Sequence, residues 1–362
     1  MSEPAQPPNG DAPVPAAAPP SPQQGLNPEP RPRRECSQPD QASQPGPGQL
    51  NLSTEHTWIW REQAIRWVGA GVAGSGPVVV LIHGFGANLH HWRHTLPALA
   101  QQAEVYALDL LGFGASAKPR SRLNGEADDG ASVRYCFDLW AEQVVDFLAG
   151  PAAASAAPVH LIGNSIGGMV ALNAAVMLAR RGHPPAQVIL IDCAQRTLDD
   201  RRAAELPAWE RASRPLIKAL VRQRWLIAPL FLLLAQPPFI RQVLRQAYPS
   251  GAHIDAELVS LLHRPSTDPG ARESFRGFVN LFSDHLAPDL LAQLCATEPA
   301  VPVRMLWGEA DPWEDPALAR RWQASHSCVR ELVVLPGLGH CPHDEAPEQV
   351  NPILLNWLHA AN

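Results

Sequence analysis

From about residue 57 the chain alternates between short apolar runs and longer stretches with helical periodicity. "HTWIW" and "AIRWV" read as a pair of opening strands. "VVVLIH", "EVYALDL", "VHLIGN", "QVILIDC", "VRMLWG" and "RELVVLP" are strand-length and rich in β-branched residues. Between most of them lie amphipathic stretches such as "HHWRHTLPALAQQ", "FDLWAEQVVDFLAG" and "IGGMVALNAAVMLARR". Strands that are apolar throughout, alternating with helices, predict an α/β fold with a mostly parallel sheet covered by helices on both faces. The polar, glycine-containing "KPRSRLNGEADDGASV" predicts a surface loop.

Two intervals break this rhythm. Residues 196–300 contain no convincing strand and read as a helical cap inserted into the fold. Within it "WLIAPLFLLLAQPPFI" (225–240) is too short to span a bilayer and is interrupted by Pro229, Gln236, Pro237 and Pro238. Its first reading is a cap helix buried against the main domain. Its second is an exposed apolar face that meets a greasy substrate or touches a membrane peripherally. The other interval is residues 1–50, which hold 14 of the 38 prolines and no aromatic residue. Such a segment cannot bury enough apolar surface to offset its ordering entropy, so a disordered tail is expected. The predicted organisation is a tail (1–50), a first core part (51–195), the cap (196–300) and a second core part (301–362).

Charge and cysteines narrow the class. A net charge of -6 argues against a nucleic-acid partner, which would call for a basic excess. The six cysteines (36, 136, 193, 295, 328, 341) are scattered without a CxxC pair and read as free thiols of a reducing compartment. "MSEPAQPPNG" has neither the basic start nor the apolar core of a signal peptide, so a cytoplasmic location is expected.

The chemistry is carried by four local patterns. "GNSIG" places Ser165 between Gly163 and Gly167, after an apolar strand and before an Ala-rich helix. That is the setting of a nucleophile elbow, in which a tight turn projects the hydroxyl above the sheet edge. "HGFG" after the first strong strand can present a backbone N–H to the oxygen that the residue after the nucleophile also serves. The expected oxyanion donors are therefore Phe85 and Ile166. "WGEADPWEDP" supplies Asp311 just past a strand, with Glu309, Glu314 and Asp315 as neighbours and Asp192 as the alternative acid on another strand. "GLGHCPHDE" supplies His340 as the base, with His343 as its competitor. A zinc site built on His340, Cys341 and His343 lacks a partner set elsewhere in the chain. The order Ser165, Asp311, His340 is that of a hydrolase triad on an α/β sheet. "HHWRH" and Asp109 read as packing, capping and turn-fixing residues.

From about residue 78 onward the chain resembles α/β-hydrolases, and more narrowly the pheophytinase and chlorophyll-dephytylase group. The resemblance rests on "HGFGANLHHWR", "YALDLLGFGAS", "DLWAEQVVDF", "GNSIGGMVAL", "GEADPW" and, most distinctively, "GHCPHDEAPEQVN". It implies hydrolysis of the phytyl ester of pheophytin or chlorophyll, near a photosynthetic membrane, with neither metal nor organic cofactor. Ser165, Asp311 and His340 fall on that group's triad positions. Ile166 stands where leucine is expected, a change that keeps the N–H donor. A general carboxylesterase or lipase is the alternative, followed by a C–C hydrolase or a cofactor-free haloperoxidase. Epoxide hydrolases and dehalogenases of this fold use an aspartate nucleophile, which Ser165 opposes. A silent binding scaffold is opposed by the intact set of three residues.

Overall fold

A computed structural model describes residues 54–360 except 73, 75 and 154–156; the predicted tail lies outside the described residues. Eight strands form one sheet: β1 (His56–Trp60), β2 (Gln63–Ala70), β3 (Val78–Ile82), β4 (Glu104–Leu108), β5 (Val159–Asn164), β6 (Gln187–Ile191), β7 (Val303–Gly308) and β8 (Val329–Leu335). Each overlaps one of the predicted runs, with β2 longer than "AIRWV" and β8 starting one residue before "RELVVLP". Their spatial order is β1-β2-β4-β3-β5-β6-β7-β8. β2 pairs antiparallel with both β1 and β4, and every pair from β4 to β8 is parallel.

The sheet is buried on both faces, which is why its strands read as unbroken apolar runs. In β3, Val78, Val80 and Ile82 join one core cluster while Val79 and Leu81 join another. The first cluster takes the inner faces of α2 (Phe137–Ala149) and α3 (Ile166–Arg180); the second takes α1 (Thr95–Leu99) and α12 (Pro347–His359). In α2 the buried Phe137, Trp140, Ala141, Val144 and Val145 recur at helical spacing.

Between β6 and β7 the described chain contains no strand. It forms α4 (Ala208–Val221), α5 (Arg224–Leu234), α6 (Pro237–Ala247), α7 (Ala256–His263), α8 (Ala271–Val279) and α9 (Ala287–Cys295). After β7 come α10 (Pro316–Ser325) and, following β8, α11 (Pro342–Glu345). The run 225–240 therefore breaks into two helices, with Pro237 opening the second.

Its expected burial is overturned. In α5 only Ile227 is buried, while Trp225, Leu230, Leu232 and Leu233 face outward. A helix that is apolar all round carries no periodic cue to its inner face. α4 goes further: its buried residue is Arg214, held by Asp200 and the Leu198 carbonyl, and Trp209, Leu216, Ile217 and Leu220 are exposed. No single helix among the described residues is long and apolar enough to cross a membrane. α5 and α6 together pass that test but are bent by 74°.

The cysteine reading also needs correction. Cys295, the last residue of α9, is disulfide-bonded to Cys328, just before β8, with Cα atoms 4.9 Å apart. That separation lies within the range a disulfide bridges. The pair is 33 residues apart in sequence, so spacing alone gave no sign of it, and the reducing compartment drawn from free thiols loses its support. Cys136, Cys193 and Cys341 are free. The polar segment after Lys118 is a loop, as expected, but not a loose one. Ser121 is buried, its Oγ donating to Glu273 at 2.6 Å and accepting from Arg276 at 3.0 Å.

Candidate active site

The parallel register places the C-terminal ends of β3, β5, β6, β7 and β8 along one edge of the sheet. At this edge of an open α/β sheet the loops rather than the strands carry the chemistry. Ser165 follows β5 directly with φ 55° and ψ -122°, a strained conformation for a residue with a side chain. Its N–H donates to the Ile191 carbonyl at 2.9 Å, and its own carbonyl accepts from Gly168 and Ala194. The flanking glycines are required by close approach. A Cβ on Gly163 would lie 2.1 Å from the Gly167 oxygen, and one on Gly167 would lie 2.2 Å from the Ile82 oxygen.

The "HGFG" turn lies against this elbow: a Cβ on Gly84 would sit 3.2 Å from the Ser165 Cβ. His83 fixes the turn. Its Nδ1 donates to the Gly84 carbonyl at 2.8 Å and its Nε2 accepts from the Leu110 N–H at 3.1 Å. Burial pulls its pKa down to about 4, so the ring stays neutral as that bonding requires. Neither the Phe85 nor the Ile166 amide has a hydrogen-bond acceptor among the described residues. Ile166 is the first residue of α3, where the N–H has no intrahelical partner. The Phe85 ring stacks on Phe278 with centroids 3.8 Å apart.

Asp311 and His340 meet. The His340 Nδ1 donates to Asp311 Oδ2 at 2.8 Å, while Asp311 Oδ1 accepts from the Trp313 and Glu314 amides. Burial works against the charged form of Asp311. The hydrogen bond and charge of His340 outweigh it and hold the carboxyl below the usual range. The His340 loop is tied to the elbow by Asn164, whose Nδ2 donates to the His340 carbonyl at 3.1 Å and to the Ile191 carbonyl at 3.2 Å. With Nδ1 occupied, Nε2 is the ring atom left to accept a proton. No hydrogen bond joins it to the Ser165 hydroxyl among the described residues. Catalytic hydrogen bonds are often long before substrate binds and tighten in the complex.

The competitors are placed elsewhere. His343 is buried with both ring nitrogens unpartnered, packed on Trp92 at 4.4 Å and His91 at 4.8 Å. Burial holds it neutral, well below the usual range. Asp192 accepts from the Gly308 N–H at 2.9 Å and makes no bond to His340. Burial, then the neighbouring Asp311, push its carboxyl well above the usual range, which disfavours its charged form. Asp315 caps α10 through the Ala317 N–H, Glu309 is exposed, and Asp109 accepts from the Leu89 and Ala115 amides as a turn-fixing residue. The metal-capable group whose donor atoms lie within 4.8 Å of one another is Asp192, Asp311 and His340, not His340 with Cys341 and His343.

Glu314 accepts from the Gln195 N–H at 2.7 Å, and burial raises its pKa to about 8. Between pH 4.5 and 8 the folded chain therefore binds a proton here that the unfolded chain releases. Stability falls as pH rises through that window, by up to about 1.4 kcal/mol per pH unit for one proton. Glu314→Gln is expected to flatten that part of the melting-temperature profile; an unchanged slope would show that Glu314 is ionised in the folded protein.

Several positioning residues escaped the motif reading. Glu345 accepts from the Gly339 N–H at 2.7 Å and from Ser250, and buried Asp344 accepts from Arg93 and the Tyr248 hydroxyl. These carboxylates anchor the loop that carries His340. Their signal was the "DE" of "GHCPHDE", to which the motif reading gave no role.

An eight-stranded, mostly parallel sheet with Ser165, the "HGFG" turn, Asp311 and His340 gathered at one edge defines the class. The chain belongs to the alpha/beta hydrolase family, whose model matches residues 79–353. It is similar to the chloroplastic pheophytinase of Arabidopsis thaliana, with 25% identity over 78% of this chain and 61% of that protein. It thus spans less than two thirds of that relative's length. It is also similar to the (lyso)-N-acylphosphatidylethanolamine lipase of Bos taurus, with 23% identity over 76% of this chain and 77% of the lipase. Among solved structures, a bacterial membrane phospholipase A matches with a TM-score of 0.62 and 25% identity, over 85% of this chain and 86% of that one. Its relatives include proteins of hydrolase, esterase and lipase type.

Proposed function

We propose that the protein is a serine hydrolase of carboxylic esters with a long apolar alcohol or acyl part, and that the phytyl ester of pheophytin or chlorophyll is its substrate. The observation that carries the reading is the His340–Asp311 pair beside a serine on a glycine-flanked elbow. His340 Nε2 takes the Ser165 proton as Oγ attacks the ester carbonyl, and Asp311 holds the ring orientation and stabilises its charged form. The Phe85 and Ile166 amides donate to the oxyanion of the tetrahedral intermediate. Collapse expels the alcohol, which takes the proton from His340 and leaves an acyl-enzyme. Water, deprotonated by His340, then releases the acid and restores Ser165.

The substrate part of the reading is supported by the match to pheophytinase and by a small, partly open apolar cavity beside the "HGFG" turn. Phe85, Phe113, Phe231, Leu262, Pro265 and Phe275 line it. It suits an alkyl chain, each buried CH₂ of which contributes about 0.8 kcal/mol. The insertion supplies Phe231, Leu262, Pro265 and Phe275, so residues 196–300 act as the cap that selects the substrate. A phospholipid acyl ester is the second reading, favoured by the match to the phospholipase A. Purified protein is expected to release phytol from pheophytin or chlorophyll, detected by chromatography, with Ser165→Ala inert. Fatty-acid release from phospholipid, with no phytol from either pigment, would select the second reading.

A further inference from the structure

α5, which lends Phe231 to this cavity, and the neighbouring α4 turn apolar faces outward. Trp209 and Trp225 are each 72% exposed, and Leu216, Ile217, Leu220, Leu230, Leu232 and Leu233 are exposed on the same two helices, α4 and α5. A soluble surface rarely gathers so many large apolar groups without a partner to cover them. The charge around them is equally uneven. Between Ala208 and Ala247 there are seven arginines or lysines and one acidic residue, in a chain whose net charge is -6. Arg214 and Lys218 are engaged by Asp200, and Arg224 by Glu273. Arg211, Arg241 and Arg245 are exposed and make no ion pair among the described residues.

We propose that α4, α5 and the adjoining α6 dock on the surface of a bilayer bearing anionic lipid headgroups. The apolar side chains enter the interface and the free arginines meet the headgroup charge. Tryptophan and arginine are the residues that suit this boundary, one amphipathic and the other drawn to anionic lipid. The helices lie on the membrane rather than cross it. An eleven-residue helix is about 16 Å long against a hydrocarbon core of about 30 Å, and the 74° bend keeps α5 and α6 from forming one span. α5 joins this face to the cavity: Phe231 points to Phe275, with centroids 5.2 Å apart, and lines the space beside Phe85. Docking itself does not depend on the ester chemistry; delivery of a membrane-dissolved ester into that cavity rests on the function proposed above.

The test is flotation of the full chain carrying Ser165→Ala with phosphatidylcholine vesicles, with and without phosphatidylglycerol. The protein is expected to float with the anionic vesicles, less with the neutral ones, and to detach as salt rises. Arg211→Gln/Arg241→Gln/Arg245→Gln should weaken partitioning on the order of a hundredfold, from about 1 kcal/mol for each charge near an anionic surface. Brominated lipid should quench tryptophan emission in the parent protein, and Trp209→Phe/Trp225→Phe, which keeps the apolar bulk, should lose most of that quenching. Failure to float with anionic vesicles overturns the proposal. So does a dimer that Trp225→Ser/Leu233→Ser converts to monomer, because the face would then be covered by a second copy. Docking without ester hydrolysis by the Ser165 form would count against the proposed reaction and leave the surface assignment standing.

Discussion

Ser165→Ala is expected to abolish ester hydrolysis, with turnover falling on the order of 10⁴ to 10⁶-fold, while the melting temperature stays close to that of the parent. The loss follows from chemistry: no other hydroxyl occupies the elbow, and the Phe85 and Ile166 amides cannot form an acyl-enzyme alone. The stability follows from packing. The serine hydroxyl makes no hydrogen bond among the described residues, and alanine keeps the Cβ at the strained backbone position. Kinetics on a soluble p-nitrophenyl ester and thermal unfolding read the two halves separately. Retained turnover would remove the nucleophile assignment; a large drop in melting temperature would make the loss uninterpretable as chemistry alone.

The second large effect separates two histidines three residues apart. His340→Ala should cost turnover on nearly the same scale, since it removes the group bonded to Asp311 and leaves that buried carboxylate unpaired. His343→Ala should act on stability instead. Its ring is fully buried against Trp92 and His91 and touches neither Asp311 nor the elbow, so its removal leaves a cavity costing about 2–4 kcal/mol. The expected pattern is an inactive, folded His340 variant and an active, less stable His343 variant. The reverse pattern would mean that the base had been misplaced.

Much of this was legible in the sequence because the informative signals are local. Each strand is buried on both faces and so reads as a continuous apolar run, and each chemical motif sits in one turn at a strand end. Asp311 and His340, 29 residues apart, were paired by chain order alone, and a 2.8 Å hydrogen bond joins them. What was hidden depends on three-dimensional neighbours. Cys295 and Cys328 are brought together by the packing of α9 beside the start of β8. The outward face of α5 is set by the docking of Ile227 and Phe231, which its uniform hydrophobicity conceals. Asp192 looked like a rival acid because strand-end position does not reveal protonation. Its full burial beside Asp311 disfavours its charged form, and His340 bonds Asp311 instead. Glu345 and Asp344 reveal their work only once Gly339, Arg93 and Tyr248 are seen to converge on them.

The claim at the centre of this account is that Ser165 is the nucleophile, activated by His340. Treating the full chain with a fluorophosphonate probe and locating the adduct by peptide mass spectrometry tests it directly. One adduct on Ser165, formed slowly or not at all in His340→Ala, is the predicted result. An adduct on another residue, or ester hydrolysis that persists after complete labelling of Ser165, would contradict it.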